Sequence, residues 1–207
     1  MDNNERASAT GDYSDKLLAQ RQRRLFTPEE YLAIEEKSPT KSEYYQGEIF
    51  AMSGASLAHA QIVRNLTADL HNALRGSSCQ VFGSDLRLQV TTSGLFTYPD
   101  LYVVCGEPVL LSGRTDTVTD ATLIVEVLSP STEFYDRGEK FLLYRGLPSF
   151  REYLLVSQDQ KKIEYHVKSG RNSWRSDIIE ENSLTLESIG HELSLEEVYR
   201  EVKPLES

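Results

Sequence analysis

The apolar and polar positions of this chain recur with periods that assign most of its elements. After a polar opening, Thr27-Pro28-Glu29-Glu30 predicts a helix start: Thr27 caps, Pro28 takes the first helical position, and Glu30 completes a capping box. That helix is expected to end near Lys37, before Ser38-Pro39. Residues 43–52 read as a strand or a hairpin about Gln46-Gly47. Ser53 to Ser56 punctuate the chain. Ile62, Val63, Leu66, Leu70, Ala73 and Leu74 then fall at helical spacing, giving a helix to about Arg75 with Gly76 as its stop. His59 stands one turn before that apolar face.

Strand-like segments follow at residues 80–90, 95–105 and 122–128. The last reads Thr-Leu-Ile-Val-Glu-Val-Leu, apolar on both alternating faces, as a strand covered on two sides should be. A helix is expected from Asp136 to Arg145, stopping at Gly146. A hairpin follows, with strands at 152–157 and 162–168 and a turn at Gln158-Asp159-Gln160. A further strand at 174–179 and a closing helical turn at 195–199 complete the series. No internal repeat or linker interrupts it. The pattern predicts one α/β domain over residues 25–207, with a central mixed β-sheet flanked by α-helices, preceded by a mobile polar tail at residues 1–24.

Composition narrows the class. The chain has 207 residues, 39% hydrophobic and 26% charged, enough for one domain with a buried core and unlike a disordered chain. Two cysteines, Cys79 and Cys105, give no metal-ligand or disulfide framework, which fits a reducing cytoplasm. No apolar run approaches the roughly 20 residues of a membrane span, and the N-terminus lacks the apolar region of a secretory signal. A soluble cytoplasmic protein is therefore expected. The net charge of −10 disfavours a protein that coats nucleic acid by bulk electrostatics. It is compatible with a nuclease whose carboxylate-held metal ions offset the phosphate charge. The basic run Arg21 to Arg24 reads as a solvated lead-in.

The candidate chemistry starts at Glu126. An acid inside a doubly covered strand must be paired, protonated or metal-bound, because a lone buried charge costs on the order of several kcal/mol. Asp100, between Pro99 and Leu101-Tyr102-Val103-Val104, has a similar setting. Each could face an Arg or Lys, or the two could share one cation through oxygen ligands. His71, His166 and His191 have no ligand-like spacing, which argues against a histidine zinc site.

These acids sit in a longer ordered series. Tyr98-Pro99-Asp100 followed by Ile124-Val125-Glu126-Val127-Leu128 resembles the signature of PD-(D/E)XK nucleases. Thr27 to Tyr31, the 43–52 segment with Gly47, His59, Glu126 to Thr132, Asp136 with Lys140 and Tyr144, and Glu152-Tyr153 extend the likeness over about residues 25–200. Together they resemble a bacterial restriction-endonuclease family of that superfamily, once known only as a domain of unknown function. The resemblance implies a restriction-endonuclease-like core and Mg²⁺-dependent hydrolysis of DNA phosphodiester bonds, with Mn²⁺ as a substitute ion. It implies Asp100, Glu126 and Glu43 as metal ligands, double-stranded DNA as partner, and a homodimer. His59 reads either as a group orienting phosphate or water beside the cluster or as a hydrogen-bonded edge of the core. The lysine normally two residues after the Glu is Leu128 here. Lys140 is its implied replacement, sharing a helix face with Asp136 and Tyr144. An exposed Asp136–Lys140 ion pair is the competing reading.

Two other functions compete. Gly54-Ala55-Ser56-Leu57-Ala58, between a strand and a helix, resembles the nucleophile elbow of serine hydrolases, with His191 later in the chain, although Ser56 more simply caps the helix. A catalytically inactive nuclease fold serving as a binding or scaffold module fits the missing lysine and the acidic charge. Residues 1–24 carry no apolar periodicity, so a chain beginning at Leu25 is expected to keep the cooperative thermal transition of the full chain. Loss of that transition on truncation would overturn the assignment of the tail.

Overall fold

The computed structural model describes residues 24–203, so the polar segment 1–23 lies outside the described residues. Arg24, the last residue of the basic run, pairs with Glu30 on the surface. Helix α1 (Pro28–Glu35) begins as its sequence dictates. Thr27 accepts from the Glu30 amide at 3.2 Å, and the Glu30 carboxylate accepts from the Thr27 amide at 2.9 Å. Strands β1 (Ser42–Tyr45) and β2 (Glu48–Ala51) form the expected hairpin. Its turn puts Gln46 at φ 48° and Gly47 at φ 89°, and a Cβ on Gly47 would also meet Leu25 Cβ at 2.9 Å.

Helix α2 (Leu57–Ala73) is capped by Ser56, and Ala58, Ile62, Leu66 and Leu70 form its buried face. The expected strands at 80–90 and 95–105 are each two strands. They resolve into β3 (Cys79–Gly83) and β4 (Arg87–Val90), then β5 (Leu95–Thr97) and β6 (Leu101–Cys105). The second break falls at Tyr98-Pro99-Asp100, where Pro99 has no N–H to continue a ladder. At each break the chain changes sheets. The expected mixed α/β architecture is present, with its strands divided among a five-stranded sheet β2-β1-β5-β4-β7, a mixed six-stranded sheet β11-β10-β9-β8-β6-β3 and a two-stranded hairpin. Strand β7 is Thr117–Val118, β8 Leu123–Leu128, β9 Glu152–Ser157, β10 Ile163–Lys168 and β11 Trp174–Ile179.

All six residues of β8 are buried, between antiparallel β6 and parallel β9. One face packs Val125 and Val127 against α2 and against a hairpin that the sequence reading leaves unassigned, β12 (Ser183–Leu186) and β13 (His191–Ser194). The closing helix α5 (Leu195–Val198) joins this core. The other face carries Ile124 and Leu128 into a second core with Leu88, Tyr144, Phe150 and Tyr153. Over it lies the helical run expected from Asp136, which starts earlier and is not uniform. Helix α3 (Glu133–Tyr135) passes into a wider π turn (Asp136–Lys140) and then helix α4 (Phe141–Tyr144).

Cys79 and Cys105 stand opposite each other in the β3–β6 ladder and form a disulfide. The expectation of no disulfide is thereby corrected: antiparallel register brings together cysteines 26 residues apart, which spacing alone does not reveal. The inference from cysteine usage to a reducing compartment falls with it. Among the described residues no helix is long and apolar enough to cross a membrane.

Glu152 is fully buried at the start of β9, where its carboxylate accepts from the Tyr165 and Ser188 hydroxyls and from the Glu187 and Ser188 amides. It thereby pins the β12–β13 hairpin to the six-stranded sheet. Replacing it with Leu strands those donors, so Glu152→Leu is expected to cost about 3 kcal/mol or more, read as a fall in Tm of about 6 °C or more. Glu152→Gln keeps one acceptor oxygen and should fall less.

Candidate active site

Glu126 lies mid-strand on β8 and is 4% exposed. Its Oε1 accepts from the Tyr144 hydroxyl at 2.7 Å and lies 3.0 Å from Lys140 Nζ. Its Oε2 accepts from the Asp100 amide at 3.3 Å. The strand supplies this burial because both its faces are packed, and the covering helical run supplies the partners.

Lys140 closes the π turn. Its ammonium is 3.0 Å from Glu43, 3.0 Å from Glu126 and 3.5 Å from Asp136, so one cation faces three carboxylates. Asp136 and Lys140 are only 3% and 5% exposed, which replaces the reading of an exposed pair with a buried one. Leu128, where the motif's lysine is expected, shares the face of Glu126 and is spent in the second core. Lys140 reaches the same carboxylate from the helix above. Wider π turns concentrate at functional sites.

Asp100 sits where the chain enters β6 after Pro99. Its Oδ2 accepts from the Val127 amide at 2.7 Å and lies 3.1 Å from His59 Nε2. His59 occupies the first turn of α2, directed by the Ser56 cap, and its Nδ1 is buried with no partner among the described residues. With Nε2 donating to Asp100, Nδ1 is left as an acceptor. Glu43, on β1, comes from the other sheet. Its Oε1 takes the Thr97 hydroxyl at 2.5 Å as well as Lys140, so it joins the cluster through those two groups.

These side chains line one cleft of about 1160 Å³ between the two sheets and the helical run. Its charged lining is Glu43, Glu48, Asp100, Glu126, Asp136 and Glu139 against Lys140 alone. Burial pushes the Glu126 carboxyl up to about 8, against the pull of Lys140 and with the help of Asp136 and Asp100. Burial likewise raises Asp136. Burial works against charge on Lys140, but Glu126, Tyr144, Glu43 and Asp136 outweigh it and hold the amine well above its ordinary range.

The chemistry of the donors suits a hard cation, since the Asp100 and Glu126 carboxylates offer only oxygen and both line the cleft. Among the described residues no three Asp, Glu, His or Cys side chains converge as a ready-made cage. Mg²⁺ does not require one, being commonly held by one or two carboxylates together with substrate phosphates.

Ser56 does not form a hydrolase elbow. Its hydroxyl accepts from the His59 amide and donates to Gln158 Oε1 at 2.5 Å, while His191 is paired with Asp69, thirteen residues further along the chain. That is about 20 Å along α2, too far for His191 to serve as its base. The sequence reading also passes over Thr97 and Gln158. Gln158 is buried in the β9–β10 turn and bridges Ser56 to the Leu128 carbonyl. Nothing in a Gln-Asp-Gln turn signals that role.

Comparison with known proteins bears on the family and the fold. The family model Uma2, described as "Putative restriction endonuclease", matches residues 28–197. An uncharacterized protein of Synechocystis, slr1290, is 39% identical over 175 residues, covering 84% of this chain and 91% of its own length. A second one, sll1609, is 37% identical over 151 residues, covering 73% and 85%. The fold is shared, at TM-score 0.70 and 15% identity, with the crystal structure of "a putative nuclease belonging to DUF820" from Anabaena variabilis. That likeness covers 84% of this chain and 97% of the other.

A carboxyl raised from 4.5 to about 8 binds an extra proton in the folded state between those values. Its contribution is therefore complete below about pH 4.5 and is lost as pH rises through about 8. The metal-free protein is expected to melt lower at pH 8.5 than at pH 6 as far as this cluster governs, and Glu126→Gln should flatten the difference. Should Glu126→Gln instead melt several degrees below the parent at pH 8.5 without metal, Glu126 would be a structural salt-bridge partner.

Proposed function

Because this chain belongs to the Uma2 family, we propose that it is a Mg²⁺-dependent endonuclease acting on double-stranded DNA. The observation that carries this reading is the meeting of Glu126, Asp136 and Glu43 on Lys140 at a cleft wall, with Asp100 joined to Glu126 through its backbone amide. A scaffold has no use for a buried carboxyl cluster that one lysine only partly balances, since ionising it costs stability unless a further cation offsets the charge.

Asp100 and Glu126 would hold the metal ion, with Mn²⁺ as a substitute. When bound, a divalent ion polarises a phosphoryl oxygen and acidifies a water. The remaining work belongs to the chain. Lys140, kept protonated by its carboxylates, offers a fixed positive charge to the phosphate as negative charge builds on it. Tyr144 and the Asp100 amide hold the Glu126 oxygens in place, and the Val127 amide and His59 hold Asp100. One chain carries one such site, whereas duplex cleavage needs two, one per antiparallel strand. A two-fold homodimer supplies them.

The protein is expected to nick or cut plasmid DNA with Mg²⁺ and not with EDTA. Asp100→Asn and Glu126→Gln should abolish both cleavage and the rise in Tm that Mg²⁺ or Mn²⁺ produces by mass action. Lys140→Met should lose about 10² to 10³ in rate while keeping the metal-induced rise. A metal-induced rise in Tm without cleavage of any DNA by the parent protein would instead establish the inactive binding module.

A further inference from the structure

Away from the cleft, three cations converge. Arg145 at the end of α4, Lys168 at the end of β10 and Arg171 in the β10–β11 turn line a second pocket, of about 380 Å³, with Leu142, Asn172 and Trp174. Its lining contains no acidic side chain and shares no residue with the cleft. Among the described residues none of the three cations has a carboxylate within ion-pair distance, whereas most other basic side chains there do. In a chain of net charge −10, these three cations gather around one concavity that holds no acid.

The pocket is also rigidly built. Trp174 stands edge-on to Phe141 at 5.2 Å and leans on Phe150 at 5.1 Å, and the Arg145 guanidinium lies 5.9 Å from the Phe141 ring centre. Phe141 directly follows Lys140, so a single helical run carries the lysine into the cleft and Arg145 into this pocket.

We propose that this pocket is a docking site for the phosphate backbone of duplex DNA, a second point of contact outside the catalytic cleft. The proposal rests on the nuclease reading above for its ligand. It answers an electrostatic difficulty in that reading, since a cleft lined by six acids and one lysine repels a polyanion before metal binds. Arg145, Lys168 and Arg171 would hold the strand by charge and hydrogen bonds, as phosphate contacts fix register without reading sequence. Trp174 borders the bound backbone.

Trp174 is the single tryptophan of the chain, so its fluorescence reports on this pocket. The full chain is titrated in EDTA with a 20-base-pair duplex, which allows binding without cleavage. DNA is expected to change the emission with a Kd that weakens as salt rises. The triple variant Arg145→Gln, Lys168→Gln, Arg171→Gln should bind at least about tenfold more weakly, and its log–log salt slope should shrink by about 2.7, near 0.9 per lost cation. Its far-ultraviolet circular dichroism and Tm, unchanged from the parent, would show that it folds. Glu126→Gln should bind DNA at this pocket at least as well as the parent while failing to cleave. An emission indifferent to DNA, or a folded triple variant with the parent's Kd and salt slope, overturns the proposal. So does a response to an acidic peptide that exceeds the response to duplex. If the parent cleaves DNA and the triple variant binds unchanged, the docking site fails and the nuclease reading stands. If the parent never cleaves but Trp174 responds to duplex as described, the reverse holds.

Discussion

The architecture around the cleft depends on one buried ammonium. Lys140 faces Glu43 from the five-stranded sheet, Glu126 from the six-stranded sheet and Asp136 from its own helical run. Three separately built layers thus meet on a single positive charge. Removing such a partner leaves several carboxylates desolvated and mutually repelling, a larger penalty than any exposed ion pair carries. Because the acids still outnumber the base, the site is balanced against itself, stable enough to fold and short of positive charge.

The same electrostatic economy shapes the rest of the molecule. Many surface cations described here are matched to nearby acids, as Arg114 is to Asp116 and Glu36, and Arg175 to Asp177 and Glu187. Where unmatched cations gather around one concavity, as Arg145, Lys168 and Arg171 do, their location carries more information than it would in a basic protein. Net charge argues against wholesale attraction of nucleic acid, and the local field is what can set the direction of approach.

Much of this was legible in the sequence, for reasons that differ by residue. Thr27, Glu30, Gln46 and Gly47 act through neighbours a few positions away, so their capping box and tight turn can be read directly. Glu126 betrayed itself by being an acid in a strand with two apolar faces. Contacts between distant segments were harder. The breaks that move β4 and β5 into another sheet look like continuous strands in pattern, because both halves are apolar, and only Pro99 marks one of them. The meeting of Thr97 with Glu43, and of Gln158 with Ser56, is a product of that sheet exchange and of loop packing, which no local period encodes. The Cys79–Cys105 bond follows from register in the same way.

That bond has a consequence for the edge of the sheet. Strand β3 is the last strand of its ladder, and an edge strand presents unpaired amides and carbonyls on which a foreign strand can add. At the opposite edge, β11 carries Arg175 and Asp177, charged side chains of the kind that discourage such additions. The exposed residues of β3 itself offer no charge in Cys-Gln-Val-Phe-Gly. Its stitch to β6 keeps the strand from peeling away and exchanging with another molecule's. One border of the sheet thus carries charge, and the other is sewn to its neighbour by a covalent seam.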